Sequence, residues 1–191
     1  ILIGLSVLVV IGLLPVSLPT ADDTNTQATP QGNEVTATLT GAIFAGVTVA
    51  QEFPAAGTAI STAALVLTTY QRANSGTIQV MVQTQANDQW QTLGSQSMEK
   101  TNLQDNALNT VTFDPPLAVK RGQIIRIVLQ ADGNEQNAIA WWSNPSDQRP
   151  GFALFLNGDP LPGAAQFQIS YARASGRLVA MIGPMWTRMT V

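Results

Sequence analysis

A change of side-chain polarity at every second residue, repeated in short runs across residues 34–173, is the feature that most restricts this chain. Thr77 to Gln83 (TIQVMVQ) sets Ile78, Val80 and Val82 on one side. In the last run Phe167, Ile169 and Tyr171 alternate with Gln166, Gln168 and Ser170. Successive side chains of a strand point to opposite faces, so each run reads as a strand with one buried and one wet face. Gly, Pro, Asn and Asp separate the runs, and Asn74-Ser75-Gly76 marks a tight turn because Asn and Gly tolerate positive φ. Strands are predicted over residues 35–39, 46–53, 60–70, 77–83, 90–97, 109–113, 123–129, 138–143, 152–156 and 166–173. The run at 60–70 (ISTAALVLTTY) is the most continuous and predicts a central strand covered on both sides. With no helical periodicity between them, these runs predict an all-β fold, an antiparallel β-sandwich of jelly-roll-like form. Its expected core contains Ile78, Val80, Val82, Ile125, Ile127, Leu129, Phe167 and Ile169.

Residues 1–19 (ILIGLSVLVVIGLLPVSLP) carry no charge. At about 1.5 Å rise per residue a helix of that length crosses most of a hydrocarbon core about 30 Å thick. We therefore expect a transmembrane anchor helix over 1–20, a polar linker over 21–33 and the sandwich over 34–173. A signal peptide is the competing reading, but no basic region precedes the apolar run, and Leu18-Pro19-Thr20-Ala21 is a poor cleavage site. Pro15 is expected to kink or end the helix, since it lacks an N–H. Asp22 and Asp23 follow the anchor, and the first basic residue after it is Arg72. Basic residues stay cytoplasmic, so the sandwich is expected on the extracytoplasmic side of a membrane crossed once. Gly4, Ser6 and Gly12 are small enough to allow close helix approach in lipid.

Residues 174–191 change character, with Met and apolar residues among arginines. Pro184 interrupts an uncharged run too short to span, so an interfacial segment is expected, with Arg173, Arg177 and Arg188 near headgroups and Trp186 at the interface. A last packing segment on the sandwich, or a second span, are the alternatives.

Composition removes whole classes of chemistry. The 191 residues include no Cys and no His, so thiolate and histidine nucleophile dyads and the usual zinc ligands are excluded. Net charge is −3 with nine scattered Lys and Arg, which lacks the basic footprint of a nucleic-acid binder. The twelve acidic residues fall in no recognisable glycosidase pair, phosphate loop or nucleophile elbow. We expect a non-enzyme without a cofactor. Asp132, Asn134 and Glu135 offer oxygen ligands for calcium, but their spacing lacks the full pattern of a calcium loop, and a solvated turn is the simpler reading.

Three stretches, TTYQRANSGTIQVMVQ from Thr68, the pair Trp141-Trp142, and FLNGDPLPGAAQFQISY from Phe155, resemble the extracytoplasmic, broadly galactose-binding-like β-sandwich domains of bacterial membrane proteins. The resemblance implies a sandwich fold, a place on the bacterial cytoplasmic membrane and proximity to envelope glycan machinery. Trp90, Trp141 and Trp142 are the expected platform for a glycan or a partner protein, with only one of the adjacent pair able to face the core. Two functions follow as expectations. One is an accessory or scaffold subunit whose partners are other membrane-protein subunits and the lipid bilayer. The other is a glycan-binding module.

Overall fold

A computed structural model describes residues 25–28 and 37–172. In chain order the strands are β1 (Asn25–Ala28), β2 (Thr38–Leu39), β3 (Thr48–Pro54), β4 (Ala59–Thr68), β5 (Thr77–Ala86), β6 (Gln89–Glu99) and β7 (Ala107–Ala118). They continue with β8 (Ile124–Ala131), β9 (Ala140–Asn144), β10 (Ala153–Leu156), β11 (Asp159–Leu161), β12 (Ala164–Ala165) and β13 (Phe167–Tyr171). One sheet has the order β11-β10-β3-β8-β5-β6. The other runs β1-β13-β4-β9-β12, with β7 on the far edge of β4 and β2 on β9. All described neighbours are antiparallel, so the protein is all-β, with two sheets sharing one core.

The alternation decides what lies between the sheets. All eight residues expected in the core are buried there, and Phe53 of β3 meets Phe167 of β13 across the sheets with ring centroids 4.7 Å apart. The central strand is β4, flanked by β7 on one edge and by β13 and then β9 on the other. It stops at Thr68 rather than continuing to Tyr70, because Tyr70 and Gln71 take left-handed φ of 57° and 55° and turn the chain.

Polar groups cross this core where backbone needs them. Gln51, fully buried on β3 between Val49 and Phe53, accepts a hydrogen bond at 2.6 Å from the Ala165 N–H in the opposite sheet. Its amide donates to the Glu52 carbonyl at 2.7 Å and the Ala153 carbonyl at 3.2 Å. Such a group costs little while paired and much when a partner is removed.

Two hairpins carry residues used below. Asn87 and Asp88 join β5 to β6 with φ of 52° and 60°, and Asn157 and Gly158 join β10 to β11 with 52° and 89°. Positive φ at both central residues matches the right-handed twist of the flanking strands.

The structure corrects the expected linker at one place: residues 25–28 form β1, paired with β13. The reason is that an edge strand is held through its backbone and needs no apolar side chain. Gln27 completes the attachment, accepting from the Tyr171 hydroxyl at 2.7 Å and donating to the Pro54 carbonyl at 3.1 Å. The expected anchor over 1–20 with Gly4, Ser6 and Gly12, and the segment with Arg173, Arg177, Trp186 and Arg188, lie outside the described residues. Among the described residues no helix is long and apolar enough to cross a membrane.

Candidate functional site

The outer face of the six-stranded sheet carries the most developed site. Strand register places its outward residues in rows across the strands. One row runs Glu52, Arg126, Gln83, Thr92. The next runs Phe155, Ala50, Val128, Met81, Ser95, and the third Thr48, Gln130, Gln79, Ser97. An apolar strip is therefore bordered on both sides by amides and hydroxyls.

Arg126 organises one border. Its guanidinium lies 3.9 Å from the centre of the Trp90 ring and 5.4 Å from that of Phe155, a cation–π arrangement that covers one face of the indole. The same group forms an ion pair with Glu52, with Nε donating to Oε1 at 3.0 Å. A charge held in this way fixes the side chain and spends its field locally.

The amides are ordered by the hydroxyls beside them. Gln79 donates to the Ser95 hydroxyl at 3.0 Å, Gln83 to Thr92 at 3.3 Å and Gln130 to Thr48 at 3.2 Å. Thr48 is itself pinned, because its N–H donates to the Asn157 side-chain carbonyl at 2.8 Å and its carbonyl accepts from the Asn157 N–H at 2.8 Å.

Two hollows lie on this face. One of about 300 Å³ is lined by Phe155, Met81, Arg126 and Gly158, the other of about 370 Å³ by Gly46, Thr77, Gln79 and Asp132. Thr48 and Gln130 line both, so the two lie side by side on the face with this hydrogen-bonded pair between them.

Asp132 closes the second hollow and is firmly held. One carboxylate oxygen accepts from the Thr77 N–H at 2.8 Å and lies 3.4 Å from Lys100 Nζ, and the other accepts from the Thr77 hydroxyl at 3.1 Å. Gly76 is required beside it, since a Cβ there would run into the carboxylate and φ is +93°. The Thr77 N–H lowers the Asp132 pKa most; burial opposes it, and the Thr77 hydroxyl and Lys100 add to the lowering. The Lys100 side chain is fully buried, its ammonium donating to the carbonyls of Asp132 at 2.7 Å and Asn137 at 2.9 Å. It acts as a clamp beneath the loop.

The expected aromatic platform is not one surface. Trp141 is buried, its indole N–H donating to the Gln166 carbonyl at 2.8 Å, and offers no face to a ligand. Trp142 points out of the other sheet and donates to the Asn106 side-chain carbonyl at 2.9 Å, beside Leu39 on β2. Only Trp90 stands on the six-stranded face. The physical reason is register: the adjacent tryptophans must part, and β9 belongs to the sheet opposite β6.

Asn134, offered as a calcium ligand, caps the following short 3-10 turn by accepting from the Gln136 N–H. Among the described residues no three His, Cys, Asp or Glu side chains stand together as a metal site. Gln79, Gln83, Gln130, Arg126 and Phe155 were not singled out from sequence. Their signal was present as the outward phase of the alternation, but nothing local marked these strands as neighbours.

No family model matches the chain, and comparison with curated proteins finds no relative.

Proposed function

We propose that the sandwich is a non-catalytic glycan-binding module, held by the apolar segment at residues 1–19 on the extracytoplasmic face of a bacterial membrane. The observation that carries the reading is the groove on the six-stranded face. A sugar ring offers an apolar C–H face and a rim of hydroxyls, which matches an apolar strip with an aromatic flank and borders of amides and hydroxyls. The strand order also supports it: β1-β13-β4-β7 facing β3-β8-β5-β6 is that of a jelly roll, a wrapping that lectin domains use. The resemblance of Thr68 to Gln83 and Phe155 to Tyr171 to extracytoplasmic sandwich domains points the same way.

Retention of the full chain on insoluble neutral polysaccharide tests this, with Trp90→Ala losing retention and Trp142→Ala keeping it. If no neutral polysaccharide retains the wild type, the reading fails.

A second reading has its own observation. On the opposite sheet Leu39 and Leu108 are each more than a third exposed, and Trp142 lies partly exposed beside Leu39. This patch suits an accessory subunit docked on another membrane protein. Loss of a co-purifying membrane partner on Trp142→Ala, with Trp90→Ala without effect, would favour it.

A further inference from the structure

Charge matching and hydrogen-bond vacancies within the groove say what kind of glycan fits. We infer that it binds an internal stretch of an unbranched, uncharged polysaccharide, gripping roughly three rings laid across the strands. The inference rests on the glycan-binding reading and narrows it.

The first argument is shape. The two hollows share Thr48 and Gln130 and run from Phe155 on β10 to Gln79 on β5. These strands are three steps apart in the sheet order, roughly 14 Å at about 4.8 Å per step. That length suits roughly three pyranose rings end to end rather than one. Both hollows open onto the outer face of the sheet, so a chain can lie across them without an end having to enter either one.

The second argument is charge. Each charged side chain lining the groove already has an opposite partner: Arg126 has Glu52, and Asp132 has Lys100. A uronate would find no free cation and an amino sugar no free carboxylate, and each would lose hydration without compensation.

The third argument is the hydrogen-bond inventory. Gln79, Gln83 and Gln130 each donate one amide N–H to a neighbouring hydroxyl, and among the described residues neither their second N–H nor their carbonyl oxygen has a partner. Three held amides therefore offer both a donor and an acceptor to an incoming ligand, and sugar hydroxyls, which donate and accept, match both. Amides that donate and accept without net charge suit polyhydroxylated neutral ligands better than ions.

The test titrates the full chain with neutral gluco-, manno- and xylo-oligosaccharides of one to six residues, free and with a bulky tag at the reducing end. Trp90 fluorescence and calorimetry give the readouts, with polygalacturonate and chitosan as charged probes. At least one neutral series should gain at least tenfold in affinity from one ring to three and level off by about four. The tag should make no difference to a hexamer. Neither charged polymer should bind. Glu52→Gln, which frees Arg126, should gain polygalacturonate binding. A monosaccharide as tight as the tetramer, a strong effect of the end tag, or wild-type binding of a charged polymer would overturn the inference while leaving glycan binding intact. Absence of binding by every neutral series would remove the parent reading and this one together.

Discussion

The two outer faces of the sandwich obey the same alternation and present different chemistry. On the seven-stranded side the outward positions at mid-sheet are mostly short, with Thr62 opposite Thr112 and Ser170 and Ala64 opposite Thr110; Gln168 and Leu108 are the longer exceptions. Small hydroxyls pair across strands and stabilise the ladder, but they reach little beyond it. On the six-stranded side the same phase carries Gln79, Gln83, Arg126, Gln130 and Phe155, long side chains that hold one another in place. One face meets water with small side chains except near Leu39, Leu108 and Trp142; the other carries the two hollows on which the proposed binding rests. The inward phase makes the fold, and function is left to the outward phase.

The most drastic way to break this contrast is to uncouple the sheets. Gln51→Ala removes the acceptor of the Ala165 N–H and a donor to the Ala153 carbonyl, and leaves a cavity beneath Ala50 and Glu52. We expect a loss of about 3 to 5 kcal/mol in urea unfolding, with both faces affected together. A loss below about 1 kcal/mol would show that the amide does not tie one sheet to the other.

Next in size is the functional asymmetry. Trp90→Ala strips the stacking partner from Arg126 and should weaken neutral-glycan binding by about tenfold or more, equal to about 1.4 kcal/mol. Trp142→Ala, on the far face, should leave that affinity within about twofold. Equal effects of the two, measured by calorimetry, would erase the distinction between the faces.

Much of the fold was legible because burial follows a period of two. Ile78, Val80 and Val82, and Ile125, Ile127 and Leu129, needed no tertiary information to be placed in a core. Strand β1 was not legible, since NTQA has no apolar phase and pairs through its backbone. Strands β11 and β12 are too short, at three and two residues, to show a period. Gln51 did leave a signal, a polar residue in the phase of Val49 and Phe53, and such a misfit marks a buried hydrogen bond. The groove lay beyond local reading, because Phe155, Thr48, Gln130 and Gln79 become neighbours only once four strands are in register.

The smallest effect compares the two faces through acid. Each face has one carboxylate that braces its loops: Asp132 beside the groove, and Asp105 beneath Trp142. Asp105 accepts from the Thr68 and Thr69 hydroxyls at 2.9 Å each, and its second oxygen accepts from Asn106, the residue that holds the Trp142 indole. Burial is the largest influence on Asp105 and raises its pKa, but the hydrogen bonds from Thr69, Thr68 and Gln71 overcome it, so the net direction is down, as for Asp132. A carboxyl with a depressed folded pKa contributes stability that is complete above the ordinary value of about 3.9 and is lost as pH falls through the folded value. The stability gap between wild type and Asp132→Asn should therefore be constant above about pH 5 and shrink below about pH 4. Asp105→Asn should show the same trend, accompanied by a change in Trp142 emission that Asp132→Asn does not produce. Asp132 is exposed and Asp105 half-buried, so the Asp132 gap should be small and should narrow further with added salt, and the Asp105 gap should respond less to salt. A gap that stays constant down to pH 2 would mean that the carboxylate charge does not brace the loop, and Asp132 would then serve the groove only by its shape.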